Sequence, residues 1–290
     1  MDNNLFDKYG FKLQHVFIRG SVPALKELIA DQIQFLYCAA DATLPFLAAG
    51  AEVKLVAAPQ VKLPYVLVTR KETRRVEDLK GKSLAVSRGG DLRDRLSRAM
   101  VEKFNVPDVT FRPIDGSQND HYQAMVANVV QGVVTTPPLD VRAKNDGYNV
   151  FYNLLDNKDL PFIYSSLHAS SRTVRERPEV VQRTVAAFAE AINYVDKNPD
   201  KTKAAISKTI RATDEEALQV SYDIYARKIV DRRMLVPAQI VGEYVALFSS
   251  LGMRTKREAE DLYDNTFVND LEKSGFLKEL WGSELGAPAR

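Results

Sequence analysis

Val76-Glu77-Asp78-Leu79-Lys80-Gly81-Lys82-Ser83-Leu84-Ala85-Val86-Ser87-Arg88-Gly89-Gly90-Asp91 decides the fold. Residues 77–79 make one acidic-to-apolar turn stopped by Gly81, residues 83–86 an apolar strand, and residues 87–91 a loop of small residues. Leu92, Leu96, Ala99, Met100 and Phe104 then recur at helical spacing, so the loop joins a strand to the amino end of a helix. Such a junction presents backbone N–H groups to a small polar or anionic ligand.

Working outward, strands and helices alternate. Strands are expected at 13–19, 33–38, 53–57 and 65–69. Between them lie a short helix at 23–30 capped by Ser21 and a second helix, capped by Asp41, that carries Leu44, Phe46 and Leu47 and ends at Gly50. A second alternating set follows, with strands at 83–86, 109–113, 133–135 and 150–154. Its helices are at 92–104, along Tyr122, Met125, Val126, Val129 and Val130 up to Gly132, and at 138–145. Residues 162–171 read as an extended return, and beyond them the pattern is helical only. These helices run at 178–195, after a capping box at 213–216, from Pro237 to Gly252, and at about 267–281. Strand–helix alternation favours mainly parallel sheets with ligands at the carboxyl ends of strands.

The 290 residues exceed one compact domain. Two lobes are expected: 1–75 as the first part of lobe 1, 76–167 as an inserted α/β lobe 2, and 168–290 returning to lobe 1 to sheathe its sheet. Two extended connectors between lobes would make a hinge.

Composition removes several classes of function. Forty basic and 38 acidic residues give a net charge of +2 without long runs of either sign, so no nucleic acid partner is expected. One cysteine, Cys38, excludes an intrachain disulfide and a multi-thiolate metal site, and His15, His121 and His168 form no metal motif. Residues 87–91 fail the pattern G-x-G-x-x-G and no Lys-Ser/Thr follows, so no nucleotide and no cofactor is expected. No stretch approaches the roughly 20 apolar residues that span a bilayer. The amino terminus lacks a basic region and an apolar core, and does not read as a signal peptide.

The phrase E-D-L-K-G-K, then a strand, then S-x-G-x at 77–90 resembles the crossover of periplasmic solute-binding proteins. The group it resembles serves nitrate, sulfonate, taurine and thiamine-precursor importers, the NMT1/THI5-like set with the type II periplasmic-binding-protein fold. Leu5-Phe6-Asp7-Lys8-Tyr9-Gly10-Phe11 also matches a family phrase that ordinarily follows the first strand and helix. Here it stands at the start, so the usual leader and first strand are expected to be missing. The resemblance implies a two-lobed α/β receptor that closes on a small polar, anionic organic solute and presents it to the permease of an ABC importer. It implies a monomer, periplasmic or lipid-anchored if a leader has been removed and cytoplasmic if Met1 is the true start.

The expected ligand contacts lie at four strand-to-helix junctions: Gly20 and Ser21; Asp41, Ala42 and Thr43; Ser87, Arg88, Gly89 and Gly90; and Ser117, with Thr136 beside it. In the resembling family the equivalents of Ala42, Thr43, Ser87 to Gly89 and Thr136 face the ligand. The same residue types are also ordinary caps and turns. Arg88 would favour an anion as a planar guanidinium fork, whereas Asp41 argues for an amine unless it only caps its helix. Arg19 is the other nearby cation. Tyr37, Tyr65, Tyr122 and Phe46 are candidates for stacking on an aromatic solute, and Tyr222, Tyr225 and Tyr244 read as helix packing. His121 is expected to be solvated and His168 structural.

Cys38 ends an apolar strand with no histidine near it in sequence, and reads as a small buried hydrophobe more readily than as a nucleophile. The alternative function is a cytosolic enzyme on the same fold, such as a thiamine-pyrimidine synthase or a menaquinone-pathway dehydratase. The synthases draw on a cysteine-rich loop and a histidine, and Cys38-Ala39-Ala40-Asp41 is not such a loop. A regulatory effector-binding module is a third reading, disfavoured because no DNA-binding segment precedes the first lobe.

Overall fold

The strands, in chain order, are β1 (Phe35–Cys38), β2 (Val53–Gln60), β3 (Val66–Thr69), β4 (Ser83–Val86), β5 (Thr110–Pro113), β6 (Gly132–Thr135), β7 (Asn149–Asn153) and β8 (Ser165–Ser170). The helices are α1 (Ser21–Ile29), α2 (Leu44–Ala48), α3 (Leu92–Lys103), α4 (Gln118–Val126), α5 (Leu139–Asn145), α6 (Ser171–Glu176), α7 (Pro178–Lys197), α8 (Pro199–Ile210), α9 (Glu215–Tyr222), α10 (Ala238–Ser250), α11 (Thr266–Lys273) and α12 (Phe276–Trp281). A π-helical stretch, Asp223–Lys228, continues α9. The computed structural model describes residues 5–18, 20–87, 92–154, 162–210 and 213–286. Arg19 and the quartet Arg88, Gly89, Gly90 and Asp91 therefore lie outside the described residues.

The chain divides into two compact units, one of residues 1–62, 161–199 and 229–290, the other of residues 63–160 and 200–228. The sequence pattern instead predicts boundaries at 75/76 and 167/168, with 168–290 together. Two local facts account for the difference. Strand β3 pairs on both sides with strands of the second unit, and Tyr225, beyond α9, bonds a carbonyl of that unit's β6–α5 loop.

The first unit carries a three-stranded sheet of order β1-β8-β2. Strand β8 runs antiparallel to both neighbours, so β1 and β2 share a direction. Helix α7 covers it because its apolar residues recur at helical spacing: Val181, Val185 and Ala189 are buried against Val56, Leu167, Val268 and Leu271, with Phe188 and Ile192 along the rim. Each fully buried aliphatic side chain there contributes about 1.5–3 kcal/mol relative to exposure. Residues 267–281, read as one amphipathic piece, are two helices, α11 and α12, parted at Gly275.

Of the strand expected at 13–19, the described residues 13–18 form none. Residues 11–18 pair with no described strand, and Leu13, Val16 and Phe17 are 43%, 56% and 82% exposed. An alternating segment becomes a strand only where a neighbour takes up its backbone groups and a core takes one face. Here neither condition is met.

The second unit carries a five-stranded sheet of order β5-β4-β6-β3-β7. Strands β5, β4 and β6 are parallel, and β3 is reversed against β6 and β7. Each sheet thus has one reversed strand among strands of common direction. Tyr122 and Met125 of α4 bury against Val66, Val68, Ala85 and Val133. That helix stops at Val126, sooner than its apolar pattern reads, because Asn128 takes a left-handed conformation at φ 61°. Val130 beyond it is buried off the helix and Val129 is exposed.

Candidate functional site

In the first unit the amino end of α1, the carboxyl end of β1 and the loop before α2 meet around Cys38. Gly20 precedes α1 at φ 95°, a value that suits glycine. Ser21 is then the first helical residue and its side chain makes no cap. Its hydroxyl instead bonds the Cys38 thiol, with the Asp41 carboxylate close enough to act on the same thiol. Asp41 does not cap α2. Thr43 occupies that position without a side-chain cap, and Ala42 beside it is half-buried. Thr43 is fully buried.

Strand pairing sets Cys38 opposite Ser166 and Leu36 opposite His168, bringing together residues that stand far apart in sequence. His168 is fully buried. Its Nδ1 faces the carbonyl oxygens of Ser166 at 3.1 Å and Leu36 at 3.2 Å, which can only accept, so Nδ1 carries the proton. Thr43 Oγ1 then donates to Nε2 at 2.8 Å, with the Ala40 carbonyl at 3.0 Å from the same hydroxyl. The Cys38 sulfur lies 3.9 Å from Nδ1. Burial pushes the His168 pKa down to about 4, against the two carbonyl bonds that favour the cation. Burial pushes the Cys38 thiol up to about 12; the Ser21 bond partly offsets this and the Asp41 charge adds to it. Both groups are neutral at pH 7, and a thiolate–imidazolium pair is disfavoured from both sides.

In the second unit the carboxyl ends of β4, β5 and β6 gather the remaining junctions. Ala85 pairs with Val133 in the parallel β4–β6 ladder, and Ser87 and Thr135 lie towards the carboxyl end of that pairing, Ser87 just beyond β4 and Thr135 at the end of β6. Ser87 Oγ is buried and has no hydrogen-bond partner among the described residues. Ser117 closes the amino end of α4: its N–H and hydroxyl both donate to Asp120 Oδ2, at 2.6 and 2.7 Å. Those bonds hold the Asp120 carboxyl below its ordinary pKa. The Ser117 hydroxyl is therefore engaged in a capping box.

Thr136 is buried and shares an acceptor with Thr135, the side-chain oxygen of Gln118, a residue the sequence reading did not single out. Only its place as the first residue of α4 after a Gly-Ser turn marked it. Pro137 and Pro138, joined by a cis peptide bond, follow Thr136, and the Tyr225 hydroxyl donates to the Pro137 carbonyl at 3.2 Å. On the next helix burial raises the pKa of Asp140, whose Oδ1 has no partner among the described residues.

His121, expected in solvent, is fully buried. Its Nε2–H donates to the Ile114 carbonyl at 2.7 Å and Nδ1 faces Arg93 Nη1 at 3.4 Å. The exposed start of α4 had suggested otherwise, but the ring turns back to the end of β5. Tyr122 and Tyr65 are buried packing residues, whereas Tyr37 and Phe46 are exposed. No group of three or more His, Cys, Asp or Glu residues suited to a metal ion occurs among the described residues. No described helix is long and apolar enough to cross a membrane.

Comparison with known proteins adds the family. No curated protein sequence matches the chain. Its fold matches the periplasmic aliphatic sulphonate-binding protein SsuA from Escherichia coli, with a TM-score of 0.72, 17% identity, and coverage of 89% of this chain and 84% of that one. It also matches the alkanesulfonate-binding protein SsuA from Xanthomonas axonopodis pv. citri bound to MOPS, at TM-score 0.68, 17% identity, 91% and 92%. A third match is the desulfurization enzyme DSZB, at TM-score 0.66, 16% identity, and 94% of both chains. At these identities the likeness is one of fold, the periplasmic-binding-protein fold read from the crossover motif. The family model described as NMT1/THI5 like matches residues 2–202, more than two thirds of the sequence, and the chain belongs to the NMT1/THI5-like family.

Proposed function

We propose that this chain is the solute-binding component of an ABC importer. It takes a small polar, anionic organic solute, a sulfonate, a carboxylate or a heterocyclic precursor, holds it by closure of its two units, and delivers it to a membrane permease from outside the cytoplasm. The observation that carries the reading is the set of hydrogen-bonding groups after β4 and β6 in the second unit: the buried Ser87 hydroxyl, and Thr136 held on the Gln118 side-chain oxygen. Desolvated hydrogen bonds of this kind supply affinity without covalent chemistry. The likeness to two sulfonate-binding proteins supports it. Gly20, Ser21, Asp41, Ala42 and Thr43 in the first unit, and Ser87, Ser117 and Thr136 in the second, are the proposed wall residues. Arg88, Gly89 and Gly90 belong to the same proposal.

The test is thermal unfolding with and without ethanesulfonate, propionate and a pyrimidine, together with small-angle scattering. A solute that raises Tm, shrinks the particle and is recovered unchanged supports the receptor.

A second reading is favoured by one distance. Cys38 Sγ and His168 Nδ1 are 3.9 Å apart, as in a cysteine enzyme, and one structural match is the desulfurization enzyme. Both groups being held neutral weighs against it. Turnover of a sulfinate or sulfonate by the purified chain, lost in Cys38→Ala, would replace the receptor by the enzyme.

A further inference from the structure

Gln118 opens α4, and its side-chain oxygen is the hub of the β6–α5 loop. Oε1 accepts from Thr135 Oγ1 at 2.9 Å, from the Thr136 backbone N–H at 3.0 Å and from Thr136 Oγ1 at 3.1 Å. The backbone N–H decides the orientation of the carboxamide. It can only donate, so an amide turned the other way would set two donors against each other. Nε2 is consequently directed away from the loop. Its two N–H groups donate to none of the described residues, and the side chain is partly exposed. The amino end of α4 itself is occupied by the Asp120 carboxylate, so the helix terminus is not the binding element.

The result is a neutral hydrogen-bond donor whose direction is set before any ligand arrives. Preorganised donors of this type cost little ordering on binding. Resting on the receptor reading above, we infer that Gln118 is a specificity-determining residue, donating from Nε2 to an oxygen of the sulfonate or carboxylate head of the solute.

The substitution Gln118→Glu separates binding from folding. A carboxylate in the same place accepts all three loop bonds, so the loop keeps its shape, but it offers negative charge where the amide offered N–H. Thr135→Val is the control, because it removes one loop bond and leaves the carboxamide donor. Calorimetric titration with ethanesulfonate and propionate, alongside Tm, reads the outcome. The expected result is a Gln118→Glu protein as stable as the original, with affinity lowered about tenfold or more, and a Thr135→Val protein within about threefold. Equal losses in the two variants, or undiminished affinity in Gln118→Glu, would overturn the inference and leave the receptor standing. Failure of the unmodified chain to bind either anion would overturn both.

Discussion

Thr43 and His168, 125 residues apart in sequence, meet in a 2.8 Å hydrogen bond between Oγ1 and Nε2 inside the first unit. The bond locks the loop before α2 to the central strand β8 through a neutral, fully buried imidazole. That neutrality makes stability depend on pH. In the unfolded chain His168 takes up a proton near its ordinary pKa of 6.5, whereas in the folded chain it resists until about pH 4. The unfolded state therefore binds more protons between these values. Above pH 6.5 the group costs nothing; as pH falls from 6.5 to 4 it destabilises the fold by up to about 3 kcal/mol. Urea unfolding from pH 7 to pH 4 should show a steeper loss in the natural chain than in His168→Gln, and equal slopes would remove the assignment.

Cys38 should be a poor nucleophile. With its thiol pushed up to about 12, alkylation by iodoacetamide at pH 8 is expected to run about a thousandfold more slowly than for an ordinary free thiol. Denaturation should restore the ordinary rate. Rapid labelling of the folded protein would show an activated thiol and move the balance toward the enzyme.

Gly132 is a packing requirement at the start of β6. A Cβ placed there would meet Leu84 Cδ2 at 2.7 Å and the Val68 carbonyl at 3.0 Å, one neighbour on each side. Gly132→Ala is expected to destabilise by about 1–3 kcal/mol, read as a shift of the chemical-denaturation midpoint. A neutral result would mean that β3 and β4 can part more easily than their pairing implies.

Tyr225 ties the segment 200–228 to the β6–α5 loop through its hydroxyl and the Pro137 carbonyl. Tyr225→Phe keeps the ring and removes the bond, and is expected to lower stability by about 1 kcal/mol. Amide exchange at Leu139 and Val141 should rise in the same variant. Unchanged exchange would show that the π-helical stretch does not brace the loop.

The strand at 83–86 and the helix at 92–103 were legible because their signals are local: an apolar run in one and helical spacing in the other. So were α7, α10 and the return strand β8. Residues 13–18 read falsely because alternation specifies a strand only when a partner is present. The first-unit cluster was hidden for a different reason, since Cys38 and His168 become neighbours only through the pairing of β1 with β8. Gln118 was hidden because nothing local sets an acceptor of three bonds apart from an ordinary first-turn glutamine. Asp41 and Ser117 show the reverse effect: Asp41, expected as a cap, does not serve as one, and Ser117, expected as a ligand contact, does.

Isothermal titration of the purified chain with short alkanesulfonates and carboxylates, followed by mass spectrometry of the recovered solute, tests the central claim most directly. The receptor account expects saturable binding of one anion per chain and a solute of unchanged mass. No binding, or a solute returned as product, would contradict it.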